Sequence, residues 1–386
     1  MNFAHQIGHA LYMAFAMFWE ILWPLILGFF LSGVVQAVVS KAKISKTLGD
    51  DQPKAIAVAT ALGAASSSCS YAAVALARSL FRKGADFTAA IAFQLASTNL
   101  VAELGIILAV LMGWQFTVAE FAGAPVMVTI LVVLFRAFLS PDMVRQAKEQ
   151  ADKGLKGSME GHAEMDMSVS EGPLFKRLFS TKGWTAVSHY FVMDWAAIWK
   201  DIAGGLLLAG ALATWVPNHA WQSFFLTPHP LLTKFWSPLV GPIVAILSFV
   251  CSVGNVPLAA VLWNGGSSFG GVIAFLFADL IVIPILDIYR KYYGKRIALF
   301  LLGTMYVSMA SAALLIEWIF QAVHLVPQKR HATIVETAIR WNYTSVLNII
   351  FLVLAFVLLI RFFRTGGLKM LKMMDESPAE RQTHHG

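Results

Sequence analysis

Long apolar runs separated by short polar segments make up most of this chain. A hydrocarbon core about 30 Å thick takes roughly 20 helical residues to cross, so the length of each run is the first signal. Residues 11–39 suffice for one crossing and hold Glu20 and Pro24. After a basic loop with Lys41, Lys43, Lys46 and Lys54, the run 55–80 is interrupted by Gly63-Ala-Ala-Ser-Ser-Ser-Cys-Ser70. The basic turn Arg82-Lys-Gly-Ala-Asp86 leads into 87–114, whose polar side carries Gln94, Ser97, Thr98, Asn99 and Glu103. Residues 116–139 form a further crossing. From Ser140 to about Ala186 hydrophilic residues follow one another without periodicity, the pattern of a linker.

The second half opens at 184–200, aromatic and polar by turns, read as an interfacial amphipathic helix ahead of a span at 201–216. Residues 218–237 read as a connection outside the membrane. The run 238–263 is interrupted like the first, by Cys251-Ser-Val-Gly-Asn-Val-Pro257. Past a Gly/Ser turn come 272–289 with Asp279 and Asp287, then 297–323 with Glu317, and last a span at 343–363 before a polar tail.

The two interruptions are related. Shifting the chain by 182 residues lays Cys69 on Cys251 and Ser70 on Ser252, and from Cys69 to Ile106 the overlay is gapless with 14 identities in 38 positions. Matching composition alone gives roughly 4, so the chain reads as two copies of one unit. The expected division is a first repeat at 1–139, a hydrophilic cytoplasmic linker at 140–186, a second repeat at 187–323, and an extra helix with its tail at 324–386.

Composition fixes the class. With 58% hydrophobic and 13% charged residues and a mean hydropathy of +0.68, the chain is a polytopic membrane protein. Its net charge of +7 lies in short loops and concerns the anionic leaflet rather than nucleic acid. Two cysteines make no disulfide framework, and Met1–Tyr12 has no basic start or cleavage site of a signal peptide.

Charge also decides how the interrupted runs sit. If each enters and leaves on one side, only Lys234, Lys329, Arg330 and Arg340 of the 29 Lys and Arg residues face away from the cytoplasm; if both cross fully, the bias vanishes. The expected fold is therefore all-α, with about seven spans plus two re-entrant hairpins in two inverted repeats, an arrangement common in secondary transporters. The N-terminus then lies outside a bacterial inner membrane and the C-terminus in the cytoplasm.

The strings Cys69-Ser-Tyr71, Arg82-Lys-Gly-Ala85 and Ala90-Ile-Ala-Phe93, matched in the second repeat by Cys251-Ser252, Pro257-Leu258 and Ala274-Phe275, resemble those of the ArsP-type predicted permeases. The resemblance covers both halves. It departs from the family pattern at Tyr71, where a second cysteine is usual, and at Ser66-Ser-Ser68, which replaces a Thr-Pro-containing approach. It implies export of a small molecule, with trivalent organoarsenicals the best-known substrate class, and no cofactor.

The residues carry their own chemistry. A half-helix beginning just after Cys69 or Cys251 aims free N–H groups at the thiol and favours thiolate. One thiolate from each half could then grip a soft centre, with Ser66, Ser67, Ser68, Ser70, Ser252 and Asn255 around it. Equally, cysteine is a good small buried residue that a repeat inherits. Glu103, Asp279 and the Asn99 level of the following helices are the coupling candidates, since an intramembrane charge costs roughly 3 kcal/mol or more unless it faces the interior or takes a proton. Glu20, Asp287 and Glu317 read as interfacial.

Other classes compete with a permease for organoarsenicals: a carrier for a sulfur-containing or other small anion, or a channel. An intramembrane serine protease needs a His or Lys facing the serine, and the histidines read as terminal or in loops. No ATP-binding motif appears, and the intramembrane acids make the proton a candidate coupling partner.

Overall fold

The computed structural model describes residues 3–38, 48–66, 70–152, 169, 177, 180–248, 252–330, 332 and 343–368. Helix is the only regular structure among them, as it must be where no water is present to satisfy backbone amides. The first half holds α1 (Phe3–Val38), α2 (Pro53–Ser66), α3 (Ser70–Arg82), α4 (Phe87–Asn99), α5 (Ala102–Leu111) and α6 (Trp114–Phe138). A short α7 (Pro141–Ala151) follows. The second half holds α8 (Thr181–Trp215), α9 (Asn218–Phe224), α10 (Pro230–Ser248), α11 (Ser252–Asn264), α12 (Phe269–Phe277), a 3-10 turn (Ala278–Leu280), α13 (Ile283–Tyr293) and α14 (Lys295–Ala322). Helix α15 (Tyr343–Arg364) stands last. Five helical stretches are long and apolar enough to cross a membrane, or up to seven with each bent pair taken as one span.

The repeat reappears in the helix boundaries. The end of α3, the start of α4 and the end of α5 each return 182 residues later, in α11 to α13. Turn and cap chemistry explain why. Gly84 and Gly266 take φ of 101° and 108°, open without strain only to glycine. Two residues on, Asp86 caps α4 by accepting from the Thr88 and Ala89 amides, and Ser268 caps α12 by accepting from Gly271.

Both ends of the α2–α3 pair lie at the C-terminal end of α6: Asp51 bonds Arg136 at 3.1 Å, and Phe87 stacks on Phe135 with centroids 6.1 Å apart. Both ends of the α10–α11 pair lie at the C-terminal end of α14, where Lys234 reaches Gln321 at 2.8 Å and Phe269 packs on Phe320 at 5.3 Å. Helices α6 and α14 run antiparallel, with Phe135 against Phe300 at 5.1 Å and Gly123 against Ile316. The two pairs therefore open toward opposite ends of the bundle. One end carries Arg82, Lys83, Arg136, Lys295 and Arg296, and is the basic end below.

The sequence reading needs revision in four places. Thr181–Trp215 is one helix, α8, running antiparallel to α1 in place of an interfacial helix at 184–200 followed by a span at 201–216. Small residues allow this: a Cβ on Gly33 would lie 2.9 Å from the Val187 carbonyl oxygen, and one on Gly210 2.5 Å from that of Ala10. The hydrophilic segment begins with an ordered helix, α7, capped by Ser140 and started by Pro141. It is pinned to the basic end by Arg78 donating to the Ala151 carbonyl (2.7 Å) and Lys148 donating to that of Phe81 (3.0 Å). The run 87–114 breaks at Leu100–Val101, and 272–289 bends by 40° after the 3-10 turn. Glu317 is buried, accepting from the Gly270 amide at the start of α12, whereas Asp287 is half-exposed between Arg290 and Lys291 as an interfacial acid is. The side chain of Glu20 lies outside the described residues.

Helix α15, outside the repeat, is tied to α1 by one side chain. Pro24 lacks an N–H, and α1 bends by 44° between His5–Trp19 and Ile21–Val34. At the bend Asn348 enters the helix ladder: its Oδ1 accepts from the Trp23 amide (2.9 Å) and its Nδ2 donates to the Trp19 carbonyl (2.8 Å), the two groups that would otherwise bond each other. The opposite side of α15 exposes Val353, Phe356 and Val357, the face a lipid-bathed helix presents.

Candidate functional site

The site is built where the start of α3 meets the 3-10 turn of the second half. Ser70, the first residue of α3, is buried and donates from Oγ to Asp279 Oδ2 at 2.7 Å. Asp279 lies in the 3-10 turn that ends α12, so a break of the first repeat is held by a broken helix of the second. Tyr289, buried on α13, lies within electrostatic reach of Asp279, and its hydroxyl accepts from Gln94 of α4. Ser97, the repeat counterpart of Asp279, turns back to the Gln94 carbonyl at 2.8 Å. Polar groups of both halves thus share one level inside the bundle.

Other expected site residues are placed as follows. Ser66 closes α2 and spends its hydroxyl on the Gly63 carbonyl, 2.8 Å away. Asn255, buried on α11, accepts weakly from Ser248 (3.4 Å), while its Nδ2 has no hydrogen-bond partner among the described residues. Asn99 ends α4 with Nδ2 on the Leu95 carbonyl and Thr98, leaving Oδ1 buried without a partner there. Buried amide atoms of this kind cost about 1–3 kcal/mol each, which a bound polar ligand would recover. Glu103 sits in the first turn of α5 against Gly28 of α1, where a Cβ would lie 2.1 Å from that of Glu103, on the α1 side of the bundle. Ser67, Ser68 and Cys69 lie outside the described residues, as do Cys251 and the side chain of Ser252; Ser252 itself opens α11.

The close approach of the broken helices to their supports uses glycine. A Cβ on Gly63 of α2 would stand 2.3 Å from the Phe93 carbonyl oxygen, and one on Gly241 of α10 would stand 2.5 Å from that of Gly271. Either side chain would push a half-helix off α4 or α12 and so move the breaks.

One residue absent from the sequence reading belongs here. Glu120 of α6 is fully buried, and neither carboxylate oxygen has a hydrogen-bond partner among the described residues. Asp279 is the one charged group there acting on it. A lone acid early in the run 116–139 was its only signal, with no polar neighbour to show which face it takes. No group of three or more His, Cys, Asp or Glu among the described residues could hold a metal ion.

A polar pocket of about 290 Å³ opens at the end opposite the basic one, lined among others by Thr233, Lys234, Trp263, Ser268, Glu317 and Arg330. Arg330 lies over the Trp263 ring at 4.6 Å and donates to the Ser267 carbonyl at 2.8 Å.

Two comparisons bear on these features. The model of the ArsP_1 family, described as a predicted permease, matches residues 6–318. A Mycobacterium tuberculosis protein named "Putative permease Rv2963" is 62% identical over 348 residues, covering 90% of this chain and 86% of that protein. No solved structure matches.

Proposed function

The chain belongs to the ArsP_1 family of predicted permeases, and from that membership we propose that it is a proton-coupled secondary transporter that exports one small solute through the junction of its two halves. That it is a multi-pass membrane permease follows from the family and the apolar helices. The observation that carries the finer reading is the Ser70–Asp279 hydrogen bond, which links a break in one half to a buried acid in the other. A proton on Asp279 and a change at the break then become one event.

The opposed openings of the α2–α3 and α10–α11 pairs support inverted, re-entrant repeats. The basic end is assigned to the cytoplasm because short cytoplasmic loops collect Lys and Arg. In this orientation the N-terminus is outside and the C-terminus inside a bacterial cell membrane. A cysteine replacing exposed Lys83, in a background without Cys69 and Cys251, is expected to react with an impermeant reagent from the cytoplasmic side only, and one replacing exposed His229 from the outside only. Labelling of both from one side would reject the assignment.

The solute class rests on Cys69 and Cys251, paired by the repeat and set at the two breaks. A trivalent organoarsenical fits two thiolates, and the buried Asn255 amide and neighbouring serines would take its oxygens. Lys234 and Arg330 in the outer pocket favour a second reading, a small anion carrier. Vesicles containing purified protein distinguish them. Cys69→Ser and Cys251→Ser are each expected to remove most exchange of a trivalent methylarsenical, with the double change little worse, since two ligands of one atom act as a unit. Wild-type exchange by Cys69→Ser, with saturable thiosulfate exchange, would favour the anion.

A further inference from the structure

We propose that Glu120 is a proton-loading site on the outer side of Asp279, receiving the proton first and passing it to the Asp279 carboxylate as the first break is released. The inference rests on the transporter reading above and adds to it a residue and an order of events.

Position comes first. Phe116, four residues before Glu120 on α6, packs on Phe269 at 4.8 Å and on Trp263 at 5.2 Å, at the end opposite the basic one. Asp279 lies ten residues past Phe269, roughly 15 Å deeper at 1.5 Å per helical residue. Glu120 lies only about 6 Å beyond Phe116 by the same measure. A proton arriving from that end therefore meets Glu120 before Asp279.

Chemistry comes second. A buried carboxylate without a donor is costly as an anion, and among the described residues no Lys, Arg or His acts on Glu120 from any helix packed against α6. Packing does not need an acid there: counted from the glycine that precedes each helix, Gly113 and Gly294, the matching position on α14 is buried Leu301. Asp279, by contrast, has the Ser70 hydroxyl donating to it, so its anion has support that Glu120 lacks. With the Ser70 hydroxyl in place Asp279 is the weaker base of the two and the proton stays on Glu120; when that hydroxyl leaves as the break is released, the Asp279 carboxylate loses its donor and becomes the acceptor. In the transfer, the O–H bond of the Glu120 carboxyl breaks and an O–H bond forms on Asp279. Asp279, now neutral, no longer offers the Ser70 hydroxyl a charged acceptor, which keeps the break released. Glu120 is left as the carboxylate, ready for the next proton from outside.

The test uses the full-length protein in lipid and two readouts. Infrared difference spectra between acid and alkaline buffer need no solute; a protonated-carboxyl carbonyl band is expected in wild type and lost in Glu120→Gln. In vesicles, Glu120→Gln is expected to lose accumulation of a trivalent methylarsenical driven by a pH gradient, and exchange without a gradient is expected to fall less. Glu120→Asp, which keeps the acid, is expected to restore part of the accumulation. An unchanged infrared band in a folded Glu120→Gln protein, or full accumulation by that variant, would overturn the proposal. If no offered solute is transported by wild type, the transporter reading fails, whereas the infrared result still decides whether Glu120 holds the proton.

Discussion

Replacing Asn348 by leucine is expected to lower the stability of the protein by about 2–6 kcal/mol. The side chain fills a gap in the α1 ladder from both directions, accepting from the Trp23 amide and donating to the Trp19 carbonyl. Leucine of similar volume keeps the packing and removes both partners, so two buried backbone groups are stranded at about 1–3 kcal/mol each. The helix cannot simply close the gap, because the Pro24 ring and its missing N–H hold the bend open. Thermal unfolding in detergent, followed by tryptophan fluorescence, reads the change. A midpoint within a degree or two of wild type would mean that α1 straightens and remakes its own bond.

Asp279→Asn is expected to abolish the dependence of transport on a pH gradient. The amide oxygen can still accept from Ser70, so the link between the halves and the thermal stability should survive while the exchangeable proton is gone. The measurement is solute accumulation in vesicles at matched and unmatched pH. Gradient-driven accumulation equal to wild type would remove Asp279 from the coupling path. Ser70→Ala is the informative companion, since it keeps the acid and deletes the donor: altered gradient dependence there places the coupling in the pair rather than in the acid alone.

Much of the architecture was legible because its signals are local. Gly84 and Gly266, with the caps Asp86 and Ser268 two residues on, specify the same turn in each half wherever the chain is placed. The breaks near Cys69 and Cys251 announce themselves as small and polar residues inside apolar runs. The ordered α7 was missed because its buried face is only Met143, Ala147 and Ala151, one small apolar residue per turn in a charged stretch. Helix α8 looked divided because its aromatic and polar first half resembles an interfacial helix when α1 beside it is unknown.

What the sequence determined by itself is the membrane class, the duplication, the two glycine turns with their caps and the interruptions near Cys69 and Cys251, since hydropathy, glycine φ and capping act over a few residues. What only the tertiary structure decided is which polar groups meet. Ser70 and Asp279 are 209 residues apart and on different repeats, Asn348 reaches α1 from a helix outside either repeat, and Glu120 is one acid in an otherwise apolar run. A helix presents side chains all round, and spacing alone does not say which side a neighbour will cover. The packing of the halves turned Ser70 onto Asp279, buried Glu120 within electrostatic reach of it, and left Glu103 against α1, in the low-dielectric interior where a single hydrogen bond or its lack carries the most weight.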